Sequence, residues 1–219
     1  MATNPERARF NMIEQQIRTW EVLDSRVLEV LREVPREEFA PTRYRKLAFS
    51  DLRIPLGHGQ VMMKPIEEGR LLQSLVLTGS ERVLEIGTGS GFLAACLGRL
   101  AAEVVSLEII EDIARQASET LSALKIDSVE VRHADAFEVE LPRGQFDAVV
   151  VTGSVPEVPA LFAEWVADRG RLFVVRGRSP AMEAVSLTHI GGGRWHEDSL
   201  FETDLPRLIG AEDAPQFEF

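Results

Sequence analysis

The stretch Arg82-Val83-Leu84-Glu85-Ile86-Gly87-Thr88-Gly89-Ser90-Gly91-Phe92 limits what this chain can fold into more than any other. Val83 to Ile86 is a short apolar run of the kind that forms a buried strand. Three glycines at alternate positions follow, where the chain must turn and bring backbone N–H groups close to a ligand. Phe92 to Leu100 then carries the pattern of a helix. Strand, glycine turn and helix in that order place a binding site at the carboxyl end of a strand in an open α/β sheet. Dinucleotide binding calls for G-x-G-x-x-G, whereas the spacing here is G-x-G-x-G, with Glu85 two residues before the first glycine. A carboxylate at that point repels a pyrophosphate and attracts an ammonium or sulfonium group. The motif therefore favours S-adenosyl-L-methionine (SAM) over a nicotinamide cofactor and makes a nicotinamide dehydrogenase a distant alternative.

From Glu81 onward strands and helices alternate, the mark of a largely parallel sheet covered on both faces. Strands are predicted at Arg82–Ile86, Glu103–Glu108, Ser128–His133, Phe146–Thr152, Arg171–Arg176, Ala184–Ile190 and Arg194–Thr203. Helices are predicted at Phe92–Leu100, Glu111–Leu124 and Val158–Ala167. Gly191-Gly192-Gly193 joins the last two strands as an antiparallel hairpin. Residues 1–79 read as a helical extension packed on a main domain of residues 80–219. Asp24-Ser25 caps a helix with Val27, Leu28, Leu31 and Val34 on one face. Pro35 to Pro41 breaks that pattern, Arg43 to Leu47 forms a short helical turn, and Glu67 to Leu77 is helical again. Between them Ile54 to Pro65 reads as a loop with unusually apolar contents, which predicts packing against the core or a ligand. The tail after Leu205 shows no pattern.

Charge narrows the partners. Residues 1–79 carry 12 Lys/Arg and 11 Asp/Glu (+1), residues 80–219 carry 12 and 24 (−12), giving −11 in all. So acidic a chain lacks the basic footprint of a nucleic-acid-binding protein. No apolar run reaches the length of a membrane span, and the charged N-terminus has no signal-peptide pattern; a cytoplasmic location is expected. Cys96, the single cysteine, falls on the helix after the glycine turn and reads as a small buried apolar group. The four histidines are scattered without metal-ligand spacing.

Further acids fall at strand ends. Glu108 ends the second strand, 17 residues after Gly91, where an acid accepts hydrogen bonds from ribose hydroxyls. Asp135 follows the third strand and is placed for an adenine amino group; the end of the fourth, Thr152-Gly153, borders the same crevice.

Together these segments resemble the SAM-dependent methyltransferases with a seven-stranded Rossmann-like sheet, and within them the protein-L-isoaspartate O-methyltransferase family. The matching residues are Val34-Pro35-Arg36-Glu37-Glu38-Phe39, Gly57-His58-Gly59-Gln60, Pro65, Val83–Phe92, Asp135-Ala136, Phe146–Thr152 with Pro156 and Pro159, and Gly170-Arg171-Leu172. The resemblance implies transfer of a methyl group from SAM to the α-carboxylate of an L-isoaspartyl residue in a protein or peptide, a repair reaction, with S-adenosyl-L-homocysteine as product. The implied cofactor contacts are Gln60, Met63, Glu85, Gly87, Thr88, Gly89, Ser90, Gly91, Glu108, Ile109, Asp135 and Ala136.

Two departures separate this chain from the family pattern. The family loop reads Gly-Gln-Thr-Ile-Ser-x-Pro, and this chain has Gly59-Gln60-Val61-Met62-Met63-Lys64-Pro65. Both hydroxyl positions are thus apolar, and Met63 stands where the resemblance puts a serine that contacts the substrate carboxylate. The family's Val-Pro-Leu-like segment, which helps close the substrate site, is replaced by Thr203-Asp204-Leu205-Pro206-Arg207. Acceptors other than isoaspartyl protein, including a small molecule, and a SAM-binding protein without catalysis stay open as alternatives. No catalytic residue is assigned: a carboxylate acceptor is already ionised at neutral pH and requires no general base.

Overall fold

The computed structural model describes residues 4–212. The extension opens with α1 (Pro5–Met12), capped by the Asn4 side chain, and continues through a π-helical turn at Ile13–Ile17 and a 3-10 turn at Arg18–Trp20. Helix α2 (Ser25–Glu33) starts where predicted, with the Asp24 carboxylate accepting from the Arg26 and Val27 N–H groups. The proline-bracketed segment is more ordered than its sequence pattern implies, since Arg36–Phe39 forms a helical turn, α3. A 3-10 helix covers Thr42–Leu47.

The apolar stretch after it is a hairpin and not an irregular loop. Strand β1 (Ile54–Gly57) pairs antiparallel with β2 (Gln60–Met62), and Gly57-His58-Gly59 makes the tight turn with all three residues at positive φ. Helix α4 (Pro65–Ser74) begins immediately after it and ends earlier than predicted.

The main sheet follows: β3 (Arg82–Ile86), α5 (Phe92–Leu100), β4 (Glu103–Glu108), α6 (Glu111–Ala123), β5 (Val129–His133), β6 (Phe146–Val155), α7 (Ala160–Glu164), β7 (Val166–Arg178), β8 (Ala181–His189) and β9 (Trp195–Thr203). Strand order is β5-β4-β3-β6-β7-β8-β9; the first five in this order are parallel and the last two antiparallel. The predicted helix Val158–Ala167 shrinks at both ends. Pro159 precedes its first residue, and at the other end Val166 pairs with Phe146 while the Phe146 N–H donates to the Trp165 carbonyl. Sheet pairing here overrides helical pattern.

Alternation along the strands explains the two-sided core. Val83, Val104, Ala148 and Val150 face one apolar cluster, and Leu84, Val105, Val149 and Val151 face the other. The first cluster also holds Ile17, Leu31, Leu71 and Leu72 of the extension together with Phe92 and Leu97 of α5. The extension therefore covers one face of the sheet and shares its core. Cys96 is fully buried there. No helix among the described residues is long and apolar enough to cross a membrane.

Candidate active site

Strand order reverses between β3 and β6, so the loops leaving their carboxyl ends diverge and open a crevice. Two adjoining cavities lie there. The larger, about 690 Å³ and partly open to solvent, is lined by Gln60, Gly87, Gly89, Glu108, Asp135 and Thr152, among others. The smaller, about 330 Å³, is lined by Val61, Met63, Glu68, Glu85, Thr88 and Ser90, among others. Val61, Gly87, Gly89 and Thr152 border both.

The glycine turn is shaped by what surrounds it. Gly87 sits at φ +93°, and a Cβ there would fall 2.4 Å from Thr152 Oγ1, so only glycine fits. That hydroxyl donates back to the Gly87 carbonyl at 2.6 Å, which fixes the turn against the end of β6. Gly91, at φ +84°, abuts Ala117 of α6 and lines neither cavity. It packs α5 against α6 and starts the helix.

Glu108 is nearly buried and already engaged, Oε2 accepting from Gly89 N–H (2.9 Å) and Oε1 from Ile110 N–H (3.1 Å). These bonds draw the end of β4 against the glycine turn. Asp135 Oδ1 accepts from the Phe137 N–H at 2.8 Å, and Ile109, Asp135 and Ala136 continue the wall of the larger cavity.

Glu85 is fully buried, and Ser106 on the neighbouring strand donates to its Oε2. Ser106 in turn bonds Thr88 Oγ1 at 2.6 Å, which makes a buried polar chain behind the turn. Glu85 Oε1 has no hydrogen-bond partner. Burial pushes this carboxyl up to about 8 against the Ser106 hydrogen bond, and Glu108 and Glu68 push it further the same way. The unpaired Oε1 is thus a buried polar atom on the wall of the smaller cavity.

The roof comes from the extension. Arg36, fully buried in α3, donates from Nε to the Ala48 carbonyl (2.7 Å) and from Nη2 to the Met63 carbonyl (2.6 Å), and Nη1 pairs with Glu68. Its guanidinium lies 4.7 Å from the Phe92 ring centroid. This network fixes the Met63 backbone over the start of α5. Lys64 turns away, into a separate cavity with Glu67, Glu202 and Asp204.

One wall comes from a segment with no periodicity of its own, part of which the family resemblance places at the substrate site. Leu205 to Ile209 crosses the end of β6 and lines the larger cavity. Ser154 N–H donates to the Pro206 carbonyl and Leu208 N–H to the Ser154 carbonyl, each at 2.9 Å. A Cβ on Gly153 would come within 3.1 Å of the Leu208 backbone, so this glycine lets the segment approach. Residues 213–219 of the tail lie outside the described residues.

Comparison with known proteins now bears on this crevice. The sequence model of the protein-L-isoaspartate(D-aspartate) O-methyltransferase family matches residues 7–189. This chain belongs to that family. It is similar to the protein-L-isoaspartate O-methyltransferase 1 of Rhodopseudomonas palustris (strain HaA2), with 38% identity over 212 residues, 96% of this chain and 86% of the relative. It is also 38% identical over 181 residues to that of Methanoculleus marisnigri, covering 83% and 82% of the two chains. Its fold matches a Plasmodium falciparum chain described as a protein-L-isoaspartate O-methyltransferase and solved in complex with S-adenosyl-L-homocysteine. That match has a TM-score of 0.77 at 21% identity and covers 94% of this chain and 98% of the other.

Proposed function

We propose that this chain is a SAM-dependent carboxyl O-methyltransferase that methylates L-isoaspartyl carboxylates of damaged protein, a repair reaction of the cytoplasm. One observation supports the reading above others. In a chain of this family, a glycine turn at the switch point gathers Glu85, Glu108 and Asp135 around one crevice.

The residues present suit SAM. The orphaned Glu85 Oε1 suits a positive group, and the cradle at Gly87 leaves room for a ligand against the backbone. In this reading Glu108 takes the ribose hydroxyls, and Ile109, Asp135 and Ala136 hold the adenine. Glu85 and the Gly87–Ser90 turn hold the amino-acid half beneath Gln60 and Met63. SAM, when bound, supplies a methyl carbon activated by a positive sulfonium.

The chain's own task is alignment. An acceptor carboxylate, with a usual pKa near 4, arrives ionised and asks for no proton transfer. Holding two reactants in line is worth effective molarities of roughly 10⁵–10⁸ M, enough to carry such a reaction. Arg36 serves by anchoring the Met63 backbone, and Thr152 by locking the glycine turn.

The deciding experiment is methyl transfer from labelled SAM to an isoaspartyl peptide, with its aspartyl twin as control. Turnover of the isoaspartyl peptide alone supports the reading; turnover of neither refutes it. Met63 favours a second reading, a relative with another acceptor, because its buried side chain faces the smaller cavity where the family carries a serine. Met63→Ser with Val61→Thr should then raise isoaspartyl turnover and leave SAM affinity nearly unchanged.

A further inference from the structure

Helix α4 carries two buried acids side by side in its first turn, Glu67 and Glu68. Their carboxylates reach opposite ways. Glu68 pairs with Arg36, whose Nη2 holds the Met63 carbonyl at the roof of the smaller cavity. Glu67 reaches instead to the end of β9.

Both oxygens of Glu67 are used. Oε1 accepts from Arg53 Nη2 at 2.9 Å and from Thr203 Oγ1 at 2.6 Å, and Oε2 accepts from the Lys64 N–H at 3.1 Å. Arg53 Nη2 also donates to Thr203 Oγ1 at 2.8 Å, which closes a triangle of Arg53, Glu67 and Thr203. Arg70, one turn further along the same face of α4, donates from Nη2 to the Leu200 carbonyl of β9 at 2.9 Å. Capping α4 requires only the bond to Lys64. The bond to Thr203 spans 136 residues of sequence and serves another end. Lys64 follows Met63 in the roof, and Thr203 ends β9 two residues before Leu205, where the wall of the larger cavity begins. One carboxylate thus ties the roof of one cavity to the root of the other's wall.

We propose that Glu67 is a positioning residue for methyl transfer, acting through Thr203 to hold the roof at Met63 and the wall at Leu205 to Ile209 in one alignment. The inference rests on the carboxyl-methyltransferase reading and adds to it a contact that keeps cofactor and acceptor in line. Neither Glu67 nor Thr203 lines either cavity, so both act only through the backbone they hold. In-line transfer is sensitive to such a hold, since a misplacement of about 1 Å costs roughly a hundredfold in rate.

Methyl transfer from labelled SAM to an isoaspartyl peptide tests this in the full chain, with active sites counted by calorimetry with S-adenosyl-L-homocysteine. Thr203→Val keeps the shape of the side chain and the Glu67–Lys64 bond but removes the cross-link. It should lower kcat about tenfold and leave the peptide KM within about threefold of wild type, the mark of lost alignment and not of lost binding. Affinity for S-adenosyl-L-homocysteine should hold, because the Ser154 bonds still fix the middle of the wall. Thr203→Ser retains the hydroxyl and should return kcat to within about twofold of wild type. Glu67→Gln puts an amide N–H2 where an acceptor is needed and should lose at least as much as Thr203→Val. A kcat per site unchanged in Thr203→Val overturns the inference and leaves the methyltransferase reading intact, even where Glu67→Gln is impaired, since Glu67 is then a helix cap alone. Equal losses in Thr203→Val and Thr203→Ser overturn it as well. Absence of methyl transfer by wild type overturns that reading and this inference together.

Discussion

The Arg36–Glu68 pair is where the extension joins the site, and Arg36→Met tests how much it holds. Arg36 has three acceptors in a dry setting: the carbonyls of Ala48 and Met63, and the Glu68 carboxylate. Burial pushes the Glu68 carboxyl up to about 8, with Arg36 pulling the other way and Glu67 pushing upward. Loss of Arg36 therefore leaves a carboxyl that takes a proton, which limits the Coulombic part of the damage. What cannot be relieved so easily is the loss of donor to two buried carbonyls, about 1–3 kcal/mol each. The expected total is about 3–5 kcal/mol, the range for breaking a buried pair by removing one member. For a chain of this length each kcal/mol moves the melting temperature by about 2–4 °C, so a fall of roughly 6–20 °C is expected. Thermal denaturation by circular dichroism measures it, and Arg36→Met/Glu68→Met closes a double-mutant cycle. The two substitutions should couple by at least about 1 kcal/mol, since they share one network. Near-wild-type stability for Arg36→Met, or strict additivity in the cycle, would refute the claim that this pair holds α3, the Met63 backbone and α4 together as the roof of the site.

Three further outcomes are expected. Glu108→Ala should weaken S-adenosyl-L-homocysteine binding by about ten- to a hundredfold in calorimetry, because a charged acceptor is lost and the Gly89 and Ile110 N–H groups lose the partner that sets the turn. Glu85 should make stability and binding respond to pH in opposite directions. Its carboxyl is raised from 4.5 to about 8, so its contribution to stability is complete below about pH 4.5 and declines as pH rises through about 8. SAM affinity should rise across that window, since a cation beside the carboxyl draws its proton off, and Glu85→Gln should flatten both curves in thermal scans and calorimetry. Finally, residues 80–219 expressed alone should neither fold cooperatively nor bind S-adenosyl-L-homocysteine, as they lack Gln60, Val61 and Met63 and leave the α5 face of the core bare; an intact binding isotherm from that fragment would show the extension to be a separate module.

What the sequence disclosed and what it hid divide along a physical line. The three strands and two helices around the glycine turn were legible nearly to the residue, because buried parallel strands are continuous apolar runs and their helices carry clear periodicity: β3, α5 and β4 match their predicted limits. The β1–β2 hairpin escaped because it is only four and three residues long, and its apolar contents read as a packed loop. Helix α7 was overdrawn because Val166 has the same apolar character in a helix as in a strand, and only its pairing with Phe146 decides between them.

The site divides the same way. The residues proposed for SAM sit at strand ends, so sheet order alone brings Glu85, Glu108 and Asp135 together. The acceptor wall has no such guide. Leu205 to Ile209 forms one bridge to β6 and has no repeat of its own, so nothing local in the sequence places Arg207 in the crevice. Ser106 left a signal that could have been read, a hydroxyl in the middle of an apolar strand directly across from Glu85 in the β3–β4 register. The strand-end residues are thus written in elements that fold by periodicity, whereas Leu205 to Ile209 is held by a few bonds to Ser154 that no local pattern announces. The sheet order that gathers Glu85, Glu108 and Asp135 does not depend on the side chains carried at Val61, Met63 or Leu205 to Ile209.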